Sequence, residues 1–251
     1  MMTKIIIRRS TQTIFLLGCL CISSRLLANQ YSWQADIGTL YSAAVYESIA
    51  EPVQWYMIPV AIRYSQPSWK LQLSSTYLYT EQLPQEIRDR YHGMGDAIIS
   101  ATYLHQSPLR QHWWLDTSVK MKFPTANSLV STGEHDYWID INIFRFLQRS
   151  WFLNLGMGKK FRGSNKTWVL EDSLYFDANI GRIFNLKTSG GLILDYMQPS
   201  TTDRTNVIET TPYISYRLDP KNRLLLYFIK GLTDDSTDRG IGIQLTHSFA
   251  N

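Results

Sequence analysis

The chain has 251 residues, enough for one large domain, and no shift in composition divides it. Its 25 basic and 21 acidic residues suggest a basic protein, but Lys4, Arg8, Arg9 and Arg25 lie in the first 28 residues, where there is no acid. The remainder is formally neutral and lacks the basic patch a nucleic-acid partner would need. Cys19 and Cys21 fall in the same first segment, so the rest has no thiol, disulfide or cysteine metal site.

That first segment has the layout of an export signal. Lys4, Arg8 and Arg9 form a charged start, and Ile14 to Ile22 is an apolar run too short to span as a helix. Cleavage is expected after Ala28, although Leu26 is bulky for its place before the cut. Leu16-Leu17-Gly18-Cys19 leaves lipidation at Cys19 as an alternative, with Leu17 where a small residue is usual. Ser10-Thr11-Gln12 after Arg8-Arg9 favours ordinary export over the twin-arginine route. Beyond residue 28 no apolar run reaches the roughly 18 residues of a membrane helix. The expected organisation is a signal peptide over 1–28 and one domain over 29–251, either soluble in the periplasm or a barrel of the outer membrane.

Alternation of apolar and polar residues, bounded by turn chemistry, predicts twelve strands. They run Trp33–Tyr41, Gln54–Tyr64, Trp69–Tyr79, Gly95–His105, His112–Phe123, Asp136–Phe146, Trp151–Arg162, Leu170–Ile183, Thr188–Met197, Ile208–Leu218, Arg223–Gly231 and Gly240–Phe249. Short connections such as Ser65–Ser68 and Asp219–Asn222 alternate with longer polar ones such as Thr80–Met94 and Pro124–His135. Even strand number, short turns at one rim and long loops at the other define the bacterial outer-membrane β-barrel. With the N-terminus inside, the short turns are periplasmic.

The stretch His112–Phe146 shows why a membrane is involved. Trp113, Leu115, Thr117, Val119, Met121 and Phe123 share one face, and Trp114, Asp116, Ser118, Lys120 and Lys122 the other. Tyr137, Ile139, Ile141 and Ile143 then alternate with Asp136, Trp138, Asp140 and Asn142. Each run of about 10 residues can cross a bilayer at a tilt. Trp113, Phe123 and Tyr137 end the apolar faces, where interfacial girdles belong. A Lys or Arg turned to mid-bilayer costs about 2–4 kcal/mol, so Asp116, Lys120 and Lys122 are expected to face the lumen. Lys159 breaks this parity among Leu153, Leu155, Met157 and Phe161, but near the loop end, where a long side chain reaches the interface. Leu224-Leu225-Leu226 has no clean period, and its faces stay unassigned.

Antiparallel pairing brings Asp96, Lys120, Lys122, Asp136 and Asp140 together near the long-loop rim. They could select solutes by charge, or neutralise one another and merely fill a narrow barrel. Asp177, Asn179, Asp195 and Arg217 form a second inward set that could line a passage or simply wet the lumen. In the last strand Ile241, Ile243, Leu245, His247 and Phe249 share a face. An apolar alternating strand ending near an aromatic resembles the signal used by the barrel-assembly machinery.

Three short segments carry a family resemblance: Gly93-Met94-Gly95-Asp96, Lys122-Phe123-Pro124-Thr125-Ala126 and Thr132-Gly133-Glu134-His135-Asp136. In this order and spacing they resemble the signature segments of an outer-membrane transporter family labelled as the MetA-pathway of phenol degradation. Ala126 departs from the glycine often found there. The resemblance implies an outer-membrane barrel and passage of aromatic or hydrophobic small molecules.

Two other classes compete. A barrel lipase would need a Ser–His pair, but alternation puts His247 and Ser248 on opposite faces, out of hydrogen-bond reach. His92, His105, His112 and His135 have no ligand-like spacing, so no catalytic residue, metal site or cofactor is assigned. A structural or secretion-associated barrel with a closed lumen is the other alternative. Few residues separate Ala28 from Trp33, so no N-terminal plug of the large receptor type is expected. The expected function is a passive, porin-like channel of a Gram-negative outer membrane. Its partners would be outer-membrane lipid, the assembly machinery and a small-molecule solute.

Overall fold

Segments whose side chains alternate between two media pair into one continuous sheet. The computed structural model describes residues 32–46, 49–80, 90–106, 113–128, 130–147, 150–165, 169–202 and 204–249. They form β1 (Ser32–Tyr46), β2 (Ile49–Ser65), β3 (Trp69–Thr80), β4 (Tyr91–Met94), β5 (Ala97–Gln106), β6 (Trp113–Phe123) and β7 (Asp136–Phe146). There follow β8 (Trp151–Phe161), β9 (Ser173–Ile183), β10 (Thr188–Met197), β11 (Val207–Arg217), β12 (Asn222–Gly231) and β13 (Arg239–Phe249). Neighbours pair antiparallel, and β1 pairs with both β2 and β13 while β2 pairs with β3, so the sheet closes. β4 and β5 both pair with β3 and make one wall strand. The result is a closed antiparallel barrel of twelve wall strands, in which β4 alone pairs on only one side.

The outer wall is a belt of exposed apolar side chains, among them Ile37, Leu73, Val119, Ile139, Met157, Leu194 and Ile241. A continuous band of this kind far exceeds the patches soluble proteins expose, and is the hydrocarbon-facing surface of a membrane barrel. Aromatic pairs edge it at both ends. Trp33 meets Tyr64 at 4.8 Å and Trp69 meets Tyr103 at 4.9 Å by the short turns. Tyr41, Tyr56 and Tyr79 form a row by the long loops, at 5.2 and 5.9 Å. Tyr137 and Phe123 lie at this rim as expected; the Trp113 side chain, like His112 and the signal over 1–28, lies outside the described residues. Inside, rings lie flat on the wall where the neighbouring strand has no Cβ, Tyr227 over Gly242 and Tyr175 over Gly158.

Several predicted boundaries are corrected. β1 and β2 run on to Tyr46 and back to Ile49, so the connection expected over Ser42–Val53 is mostly strand. Ser42, Ala43 and Ala44 are all buried, and small residues on both faces hide the alternation. The strand expected over Gly95–His105 begins at Tyr91 and is broken at Gly95–Asp96. The strand expected from Leu170 begins at Ser173. The unassigned β12 turns Leu225, Tyr227 and Ile229 inward and Leu226 and Phe228 outward; both its faces are apolar, so it showed no period.

Candidate functional site

The break between β4 and β5 builds the mouth. Tyr77 pairs with Met94, but Ser74 pairs with Ile98, so the register slips by one residue between them, as in a β-bulge. The extra residue turns Asp96 toward the lumen, where its carboxylate accepts from Ala126 N at 3.0 Å and Ser131 Oγ at 2.8 Å. Thr125 Oγ1 accepts from Ala97 N at 2.9 Å. The connection between β6 and β7 is thereby folded into the barrel: Val130 is buried and Ala126 packs on the interior apolar cluster. Gly133 has a φ of 73°, a left-handed turn that favours glycine.

Lys122 ties this loop to the wall. Its Nζ lies 3.4 Å from Asp96, 3.3 Å from Asp136 and 3.2 Å from Thr132 Oγ1. Asp136 is shared with Lys160 at 3.0 Å and accepts from Gly163 N at 3.1 Å. Lys160 also sits 4.5 Å above the Trp138 ring. Lys120 pairs with Asp140 at 3.1 Å, and Asn142 donates to Asp140 at 3.1 Å. The five charges expected at this rim are therefore brought together. Above them, burial pushes the Arg162 guanidinium down from its ordinary value, opposed by Asp136 and Asp172. The three motif segments converge on this one knot of loop and wall. Asp116 faces inward nearer the short turns, opposite Leu104 and Asn142.

The second expected set is corrected in part. Asp177, Asn179 and Asp195 do assemble, on β9 and β10, but Arg217 does not join them. It lies eight residues beyond Glu209, the partner of Asp195, about 26 Å along β11, exposed at the short-turn rim opposite Arg223. Glu209 takes its place. Sequence reasoning also passed over Lys160, and the buried pair Asp36–Arg63 at 3.0 Å. Inward parity marks all of these, so the signal was present. On the outside, Lys159 pairs with Asp172 at 3.1 Å and lies over Phe161 at 4.9 Å, near the loop end as expected.

Much of the remaining lumen wall is apolar. Leu40, Trp55, Met57, Leu78, Tyr91, Ile193, Tyr213, Leu225, Tyr227 and Ile229 form one buried cluster on β1–β4 and β10–β12. Such filling occupies much of the interior, as suits a barrel of twelve strands, between eight, which side chains fill, and sixteen, which leave an aqueous channel. His247 and Ser248 are engaged separately, His247 Nδ1 with Asn222 Oδ1 at 2.8 Å and Ser248 Oγ with Gln34 Nε2 at 3.2 Å.

No protein-family model and no curated protein matches the chain. Solved structures match its fold. An outer-membrane channel of Pseudomonas putida F1 aligns over 87% of this chain and 96% of its own at 12% identity, with a TM-score of 0.74. The NanC porin aligns over 86% and 100% at 9% identity, with a TM-score of 0.61. The CymD monoaromatic hydrocarbon channel aligns over 92% of both chains at 8% identity, with a TM-score of 0.50. At these identities the likeness establishes a porin-like outer-membrane barrel architecture.

Proposed function

We propose that the chain is a passive channel for small molecules in the outer membrane of a Gram-negative bacterium, delivered by its N-terminal signal and inserted by the barrel-assembly machinery. The observation that carries this is the inward-folded β6–β7 loop, fixed by Asp96, Lys122 and Asp136 across the mouth. A loop tied by buried charge at the mouth is positioned to narrow the way in and to sort what enters. Fixed charge beside apolar wall is suited to narrow, solute-selective passage. The apolar strip and the family-like motif segments favour aromatic or hydrophobic solutes. An aromatic solute slides over Trp55, Tyr213 and Tyr227 without losing hydrogen bonds.

A structural barrel with a closed lumen is the second proposal, favoured by how many inward side chains are buried, Leu78 and Thr80 completely. Conductance of refolded protein in planar bilayers, with and without aromatic solutes, separates the two. A channel gives steps that aromatic solutes reduce, and Lys120→Glu or Lys122→Glu shifts its ion selectivity. Silence from well-folded protein in every salt and solute would leave the structural role.

A further inference from the structure

Three acids lie side by side on the wall beside the mouth network. Asp195 on β10 is directly opposite Asp177 on β9 and Glu209 on β11. Residues so paired hold their Cβ atoms about 4.5–5.5 Å apart, and like charges there oppose folding. The cations that neutralise Asp96, Asp136 and Asp140 stand on β6 and β8. The inward faces of β9–β11 carry a single base, Arg217, at the far rim. Arg162, by the long loops, donates to Ser173 Oγ at 3.3 Å and Met197 Sδ at 3.5 Å and faces Asp136 and Asp172. Asp177 accepts from Asn154 Nδ2 at 3.4 Å, and Glu209 accepts from a neutral donor, Thr237 N, at 2.7 Å.

A second observation is independent of the acids. Thr211, two residues from Glu209 on the same inward face, is fully buried, and its hydroxyl has no hydrogen-bond partner. Asn179, two residues from Asp177, is fully buried as well. Its Oδ1 accepts from Tyr213 at 3.1 Å, while Nδ2 donates to nothing. Asp195 Oδ2 accepts nothing either. Buried polar atoms are ordinarily satisfied, so the two oxygens left open beside stacked negative charge, on Asp195 and Thr211, suit a ligand rich in donors; the open Asn179 Nδ2, itself a donor, takes no part.

We propose that Asp177, Asp195 and Glu209, with Thr211 beside them, form a cation station on the lumen wall. It takes a monovalent cationic group, an alkali ion or the ammonium of a small amine, and makes passage cation-selective. No three His, Cys, Asp or Glu among the described residues are placed to coordinate a metal ion, so an alkali ion is drawn there by charge alone and an ammonium by charge and hydrogen bonds. An ammonium offers three N–H donors and no acceptor, which matches Asp195 Oδ2, Thr211 Oγ1 and a neighbouring carboxylate.

The inference rests on the channel reading, and bilayer recording across a KCl gradient separates their failures. The zero-current potential should fall on the potassium side. Asp195→Asn with Glu209→Gln should lower the potassium-to-chloride permeability ratio severalfold, to near parity. Heat-shifted mobility on gels verifies the fold, and Asp195→Asn alone, nearly isosteric, serves if the double variant does not assemble. Ethylammonium chloride distinguishes the sources: slowed potassium current in the parent but not the variant assigns the station to ammonium groups, and an effect on potassium alone to inorganic ions. Conductance with chloride preferred, or with a ratio the substitutions leave unchanged, overturns the station and spares the channel. Absence of conductance in every salt overturns both.

Discussion

The lumen has two unlike halves. From β5 to β9 the inward face carries paired charges, Lys120 with Asp140 and Lys122 and Lys160 with Asp136. From β10 round to β4 it carries Ile193, Tyr213, Tyr227, Trp55 and Leu78. One half is held by ion pairs whose members lose much if separated; the other chiefly by packing, which degrades gradually, with the pair Asp36–Arg63 set within it. The β6–β7 loop touches both, through Asp96 on one side and Val130 on the other.

The largest expected effect comes from breaking the charged half at its centre. Lys122 is buried, and its ammonium serves Asp96, Asp136 and Thr132. Lys122→Met keeps much of the stem's volume but leaves two buried carboxylates short of their counter-charge, although Asp136 retains Lys160. Removing one partner of a buried pair costs about 3–5 kcal/mol. Urea unfolding of the barrel in lipid vesicles should show a loss of this size, and a loss below about 1 kcal/mol would mean that the Lys122 network is solvated rather than buried.

The apolar half should respond less. Ile193 is 1% exposed, between Asn179 on β9 and Thr211 on β11. Ile193→Val removes one methylene and should cost about 0.5–1.5 kcal/mol in the same assay. A cost equal to that of Lys122→Met would erase the distinction between the halves.

The same contrast governs what the sequence could reveal. Strand number, closure and the mouth charges were legible because His112–Phe146 sets Asp116, Lys120 and Lys122 against Val119 and Ile139, and parity alone separates the two media. On β12 Leu224-Leu225-Leu226 could not be read, because Leu225 inside and Leu226 outside are chemically alike. On β1 the small residues Ser42, Ala43 and Ala44 blurred the end of the strand for a related reason. Grouping Arg217 with Asp195 failed differently: parity gives the face of a strand but not the height along it, which depends on register. The inward turn of the β6–β7 loop is fixed by the bulge at Gly95–Asp96, a one-residue slip that alternation does not encode.

The short turns belong to neither half and supply the smallest effect. Asp219, fully exposed between β11 and β12, accepts from Asn222 Nδ2 at 2.7 Å and from the backbone N of Lys221 and Asn222 at 2.7 and 2.8 Å. The Asn222 side chain first, then the Lys221 amide, hold its carboxyl below the usual carboxylate range. A depressed native value means that the turn's stabilisation is complete above the ordinary carboxylate range, near 3.9, and is lost as pH falls through the native value. Asp219→Ala should therefore lower stability slightly at neutral pH, less than Ile193→Val does, and the deficit should vanish in strong acid. Thermal unfolding of both proteins across that acid range checks the sign. A deficit that persists after the carboxyl is protonated would show that Asp219 shapes the turn by its bulk rather than by the hydrogen bonds its charge accepts.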